Sequence, residues 1–296
     1  MKKPVFTGCA TALATPFDSA GEVDFTSLAR LIDFQLEKGA DALVLCATTG
    51  ECATLSDTEF EQIISFGVKY VAGRIPVLAG TGRNCTEKSL KLSRIAENCG
   101  ADGLLMVTPY YNKSTQKGLI EHYTYIADRI NTPIILYNVP SRTGMTIAPS
   151  TYKSLSLHPM IYGTKEASGD ISLIAHAMSL CEPDFAFYSG NDDQTAAICA
   201  LGGSGVISTT ANVAPDKMRE ICQAYFNKDF EKGKKLQFEL LPLIDALFAE
   251  TNPIPLKAAL GMCKLCGDFV RLPLTSPSDL TIQKLKTVLT QLNILQ

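Results

Sequence analysis

The chain has 296 residues, 46% of them hydrophobic, and a formal net charge of −3. That much apolar material supplies a large core, and a chain this long forms one barrel-sized domain or two smaller ones. No run of five basic residues occurs, which excludes a nucleic-acid surface built on positive charge, and Glu231-Lys232-Gly233-Lys234-Lys235 reads as a solvated helix face.

The ten cysteines sit mostly in apolar runs, where cysteine packs as a small hydrophobe. Cys263 and Cys266 have the spacing of a metal knuckle, but no second Cys or His pair accompanies them. His122, His158 and His176 are scattered. No metal or other cofactor is expected.

At the start, Met1-Lys2-Lys3 and the apolar Val5 to Ala10 have the outline of a leader. Pro4, Thr7, Thr11 and Thr15 interrupt it, so residues 5–11 read as a first strand and the chain as cytoplasmic. Asp24 can cap a helix with Phe25, Leu28, Ala29, Ile32 and Leu36 on its apolar face, closed by Gly39. Ala42 to Leu45 reads as a buried strand. Ser56-Asp57-Thr58-Glu59 is a capping box opening a helix with Phe60, Ile63, Ile64, Gly67, Val68 and Val71 on one face. Pro76 to Ala79 is the next strand, and Thr86 starts a helix that ends near Cys99-Gly100.

The pattern then repeats. Gly39-Ala40-Asp41-Ala42-Leu43 recurs 61 residues on as Gly100-Ala101-Asp102-Gly103-Leu104, and Ile75-Pro76-Val77-Leu78 recurs 57 residues on as Thr132-Pro133-Ile134-Ile135. Each period is about two βα units. Strands are expected near 5–11, 42–46, 76–79, 103–107, 134–138, 160–164, 185–189 and 205–208. Eight strands alternating with helices predict an α/β fold, a (β/α)8 TIM barrel whose active site lies at the strand C-termini. An open doubly wound sheet lacks its glycine fingerprint after the first strand. Gly202-Gly203-Ser204-Gly205 precedes a strand instead of opening a helix, and reads as a helix stop and tight turn. The 22 uncharged residues from Gln194 to Pro215 are too rich in Gly, Ser, Thr and Asn for a membrane span. Helices over 216–226, 230–249, 255–263 and 278–295 follow. The expected division is a barrel over 1–225 and a C-terminal helical extension over 226–296.

Within this frame Lys165 ends one apolar strand and Tyr137, 28 residues upstream, ends another. At the mouth of one barrel they bring an amine and a phenol together. Burial lowers a lysine's pKa and favours its nucleophilic neutral form, as imine chemistry on a keto acid requires. Glu166 is adjacent but points to the opposite face. A phenol beside an imine can relay protons. Thr48-Thr49-Gly50-Glu51, after the second strand, offers hydroxyls and backbone N–H groups to a carboxylate. Tyr110 and Tyr111, after the fourth, suggest a site wall or a subunit contact. Arg142 can clamp a second carboxylate. Together these residues predict an enzyme forming an imine with a keto acid and joining it to a carboxylate-bearing partner.

With its ordered motifs, the chain resembles the dihydrodipicolinate synthase (4-hydroxy-tetrahydrodipicolinate synthase) family of pyruvate-dependent class I aldolases, to which N-acetylneuraminate lyase is related. The likeness runs from Ala14-Thr15-Pro16-Phe17 through Thr48-Thr49-Gly50-Glu51, Pro76 to Gly82, Tyr137 to Gly144, Gly163 to Asp170 and Ser189-Gly190-Asn191-Asp192 to Thr251-Asn252-Pro253-Ile254-Pro255. The resemblance implies an imine between Lys165 and pyruvate, with Tyr137, Thr49 and Tyr111 as the proton relay and Tyr111 reaching a neighbouring subunit's site. It implies that Thr48 and Thr49 hold the pyruvate carboxylate, that Arg142 holds that of L-aspartate-4-semialdehyde, and that Gly190 and Ile207 line the pyruvate pocket. A dimer or dimer of dimers is expected.

Relatives acting on sugar acids usually carry Ser-Thr-Gly-Glu where this chain has Thr48-Thr49-Gly50-Glu51. A catalytically silent binding barrel would lack one of the residues named. Lysine-inhibited relatives typically have Ser-Ala after this motif, then a histidine, and an Asn followed four residues on by Glu. Here Cys52, Ala53, Asp57, Asn84 and Lys88 stand at those positions, and Lys88 in place of the glutamate would repel a lysine ammonium.

Overall fold

The structure is a computed structural model that describes residues 2–295; the outer ends of the two expected domain spans, Met1 and Gln296, lie outside them. Eight parallel strands close into a barrel in sequence order. They are β1 (Gly8–Ala12), β2 (Ala42–Leu45), β3 (Val77–Gly80), β4 (Gly103–Val107), β5 (Ile134–Asn138), β6 (Ile161–Glu166), β7 (Ala186–Ser189) and β8 (Gly205–Ser208). Helices between them cover the outside, so the strands are buried on both faces and read as nearly unbroken apolar runs. Closure is the pairing of β8 with β1, with Ile207 opposite Ala10. Gly205 is required there, because a side chain would run into the Gly8 carbonyl and its φ is +139°.

Two apolar layers result. Alternate strand residues, among them Ala10, Val44, Leu78, Leu105, Ile135, Tyr137, Tyr188 and Ile207, fill the interior. The opposite faces pack against the helices in a second, larger core. The sequence repeat has a structural role: Asp41 accepts from the Cys9 N–H at 2.9 Å and Asp102 from the Val77 N–H at 2.8 Å. Each aspartate, just before its strand, satisfies a backbone donor at the start of the preceding strand.

Several expected boundaries move. The first strand begins at Gly8, not residue 5, because Phe6 stacks on Tyr188 with ring centroids 4.4 Å apart and its carbonyl accepts from the Tyr188 hydroxyl. The sixth strand runs on to Glu166, so Lys165 lies within it. In the first helix, Phe25–Glu37, the fully buried residues are Ser27, Leu28, Leu31, Ile32 and Gln35, with Phe25 and Leu36 partly buried against the core. Gln35 is drawn inward because its amide bonds Thr11 and the Ala211 carbonyl. The capping box at Ser56 and Glu59 forms in both directions. The later helices are Pro215–Phe226, Phe230–Leu247, Ile254–Met262 and Asp279–Gln291; the last stops short of residue 295 and is followed by Asn293 at φ +54°. No helix among the described residues is long and apolar enough to cross a membrane.

One buried ion pair ties the C-terminal helices to the barrel mouth. Lys257, on the helix Ile254–Met262, lies 3.1 Å from Glu51, and both side chains are shut off from solvent. The Lys257 ammonium also donates to the Phe269 carbonyl and sits 4.5 Å over the Phe17 ring. Glu51 accepts from the Arg271 N–H with its other oxygen, and the Arg271 guanidinium pairs with Glu59. Removing one member of such a pair strands a buried charge. Lys257→Met is expected to cost about 3–5 kcal/mol in denaturant unfolding. Adding Glu51→Gln should recover part of that loss; a double variant no better than the single one would show that packing, not charge, is at stake.

Candidate active site

Parallel register places the amine and the phenol. Tyr137 on β5 pairs with Lys165 on β6, and Lys165 with Tyr188 on β7. Lys165 and Tyr137 both face the barrel interior, and the Lys165 Nζ lies 4.5 Å from the centre of the Tyr137 ring. Lys165 is 5% exposed. Its pKa is lowered to about 8, first by burial and further by the Arg142 charge, with Asp192 pulling the other way. Glu166 turns outward as alternation requires, accepting from Asn138 at 2.7 Å and from Tyr152 and Ser168. It is therefore satisfied on the far side of the sheet and leaves the amine without an adjacent ion-pair partner.

Gly190 follows β7 and has no room for a side chain. An added Cβ would stand 2.8 Å from the Ala167 methyl and 3.0 Å from Lys165 Cε. Glycine is thus what lets the lysine stem lie along the strand ends. Ile207 is fully buried on β8 and belongs to the same inner layer as Tyr137.

A cavity of about 280 Å³ opens at this end of the barrel, lined among others by Thr48, Glu51, Cys52, Tyr110, Arg142 and Asn252. A smaller recess shares Thr48, Cys52, Gly82 and Val107 with it and reaches Tyr137. Arg142, on the one-turn helix Pro140–Thr143 after β5, is held by donating to the Asn252 carbonyl at 3.1 Å. The cavity therefore carries a guanidinium on one wall and hydroxyls with a phenol on another.

The two threonines part company. Burial raises the Tyr137 phenol's pKa, while Arg142 and a hydrogen bond with Thr48 oppose the rise. Thr49 bonds elsewhere: its hydroxyl accepts from the Asn252 amide at 3.0 Å and lies 3.3 Å from the Thr209 hydroxyl. Thr48 lines the recess that Tyr137 reaches, while Thr49 faces Asn252 and Thr209. The reason is that successive loop residues turn their side chains to different neighbours.

Tyr111 does not join the others within the chain. It is 92% exposed and holds φ at +70°, while its neighbour Tyr110 takes the place on the cavity wall. The structure also brings in residues to which motif reading assigned no role. Asp192 is buried, accepts from the Thr209 and Thr210 N–H groups, and is the carboxylate acting on Lys165. Burial raises its own pKa. Asn252 and Thr209 hold Thr49. Asp192 and Asn252 fall inside stretches quoted for the resemblance, which was the available signal; Thr209 had none.

Comparison with known proteins identifies the family. The model of the Dihydrodipicolinate synthetase family matches residues 5–292. The chain is 49% identical over 294 residues to a 4-hydroxy-tetrahydrodipicolinate synthase of Thermoanaerobacter sp. (strain X514), covering 99% of each chain. It is 50% identical over 286 residues to the protein of that name from Caldicellulosiruptor saccharolyticus, covering 97% of each. Among solved structures, it is similar to the dihydrodipicolinate synthase from Thermotoga maritima, with a TM-score of 0.97 and 45% identity over 98% of this chain and 100% of the other. With a closed barrel, an enclosed strand lysine and a match from end to end, the chain belongs to the dihydrodipicolinate synthetase family.

Proposed function

We propose that this chain condenses pyruvate with L-aspartate-4-semialdehyde through an imine on Lys165, the reaction for which its relatives are named. The observation that carries this reading is an amine enclosed in the barrel, its pKa lowered to about 8, against the ring of Tyr137. Neutral Lys165 attacks the keto carbon, and the carbinolamine loses water to give the imine. Tyr137 returns the proton that hydroxide needs to leave, and takes part in removing one from the methyl carbon to form the enamine. Thr48, which lines the same recess as Tyr137, is the next member of the relay. The enamine carbon attacks the aldehyde, whose carboxylate Arg142 holds. The substrate's amine then attacks the imine carbon, leaves a ring C=N and releases the lysine. The chain is read as a cytoplasmic lyase feeding lysine and diaminopimelate synthesis.

Borohydride reduction in the presence of pyruvate should leave the adduct on Lys165, located by peptide mass spectrometry, and none in Lys165→Ala. A folded wild-type protein without adduct would overturn the mechanism. With a pKa of about 8, about a tenth of the amine is neutral at pH 7. The trapping rate should therefore climb through about pH 8 and level off above it. A rate still climbing to pH 10 would mean an unperturbed lysine.

We further infer that Tyr111 completes the relay of a neighbouring copy, because it stands on the surface beside its own cavity wall. Tyr111→Phe and Lys165→Ala chains, each weak alone, should regain activity when mixed and allowed to exchange subunits. Activity that stays at the average of the two would place Tyr111 outside the neighbouring copy's site.

Lysine inhibition is expected to be weak. Lys88 is exposed, Asp57 is already paired with Lys91 at 2.6 Å, and Arg83 and Lys88 add positive charge beside it. Turnover unchanged by millimolar lysine supports this reading, and strong inhibition refutes it.

A further inference from the structure

The connection from Phe230–Leu247 to Ile254–Met262 brings Asn252 to the cavity wall, 203 residues from Thr49 in sequence. Asn252 is only 7% exposed. Its Nδ2 donates to Thr49 Oγ1 at 3.0 Å, its main-chain oxygen accepts from Arg142 Nη2 at 3.1 Å, and its Oδ1 has no partner. A buried amide with one atom unsatisfied is a poor filler of space, because an apolar side chain of that size would avoid the desolvation penalty. The residue's value lies in the bond that it does make.

That bond has a direction. A hydroxyl that accepts from an amide N–H must send its own proton to another acceptor. The other neighbour of Thr49 Oγ1 is Thr209 Oγ1, at 3.3 Å a long partner for an O–H donor. We propose that Asn252 is a positioning residue for pyruvate: by donating to Thr49 it turns the Thr49 proton toward the substrate carboxylate. A carboxylate only accepts, so a hydroxyl with its lone pair already engaged presents a proton and avoids lone-pair repulsion. Through its carbonyl, the same residue seats the guanidinium assigned to the second substrate. One residue of the C-terminal part thus sets the donors for both carboxylates.

The inference rests on the imine reading above and on the role in holding pyruvate that the family resemblance implies for Thr49, so Thr49→Val is measured alongside. Asn252→Asp keeps the shape and the carbonyl but, once ionised, can only accept. Thr49 must then donate to the aspartate, and a negative charge joins the pyruvate carboxylate. Asn252→Ala removes the donor without adding charge. The readouts are KM for each substrate, kcat, the pyruvate dependence of borohydride trapping, and the thermal midpoint.

Losing a hydrogen bond to a charged group should raise the pyruvate KM about ten-fold in Asn252→Ala, with a larger rise in Asn252→Asp. The aldehyde KM should move much less than the pyruvate KM, since the Arg142 contact is to the main chain. Asn252→Asp with a wild-type pyruvate KM overturns the proposal, as does an equal rise in both KM values. If Asn252→Asp does not fold, the pyruvate KM of Asn252→Ala decides alone. An unchanged pyruvate KM in Thr49→Val removes the premise and overturns the proposal while leaving the Lys165 imine standing. Absence of any adduct on the wild-type protein overturns the imine reading instead.

Discussion

An uncompensated buried amine is the constraint around which this barrel is arranged. Eight parallel strands enclose Lys165 among apolar residues, and burial outweighs the attraction of Asp192. The chain holds a second buried lysine, and the contrast is instructive. Lys257 is also lowered by burial, but Glu51 stands 3.1 Å away and pulls it back. A paired lysine is a fastener. Lys165 has no such partner, because its adjacent carboxylate, Glu166, is committed to Asn138, Tyr152 and Ser168 across the sheet.

The surroundings of the two buried lysines are linked through one loop. Thr48, Thr49, Gly50 and Glu51 follow β2 in sequence, and each end of the run is held differently. Thr48 shares a recess with Tyr137, Thr49 meets Asn252 and Thr209, and Glu51 meets Lys257 and Arg271. Most of these partners lie more than 150 residues away in sequence. The loop is therefore held both by its own turn bonds, such as Glu51 N–H to the Thr48 carbonyl, and by side chains brought to it by the closed chain.

The C-terminal helices contribute more than a cap. They supply Lys257, Asn252 and the Arg271 segment, all of which reach the barrel mouth. A barrel without them would leave Glu51 without its Lys257 and Arg271 partners, and Thr49 and Arg142 without their Asn252 contacts. Function in this fold is concentrated where strands end, since there the backbone is no longer committed to the ladder.

Much of this was legible in the residues. The eight apolar runs, the Ser56 capping box and the Asp41 and Asp102 repeat are local patterns, and they hold to within a few residues. Lys165, Tyr137, Arg142 and the threonine loop could be singled out because strand ends are where a barrel keeps its chemistry. The order of motifs along the chain was enough to suggest the family. Tertiary structure alone decided that Thr49 turns to Asn252 and Thr209, that Tyr111 stands exposed, and that Asp192 acts on Lys165. Spacing along a strand determines which face a side chain takes, because alternation is a property of the backbone. Which distant side chains meet across a cavity depends on closure of the barrel and docking of the last helices, and no local pattern encodes that.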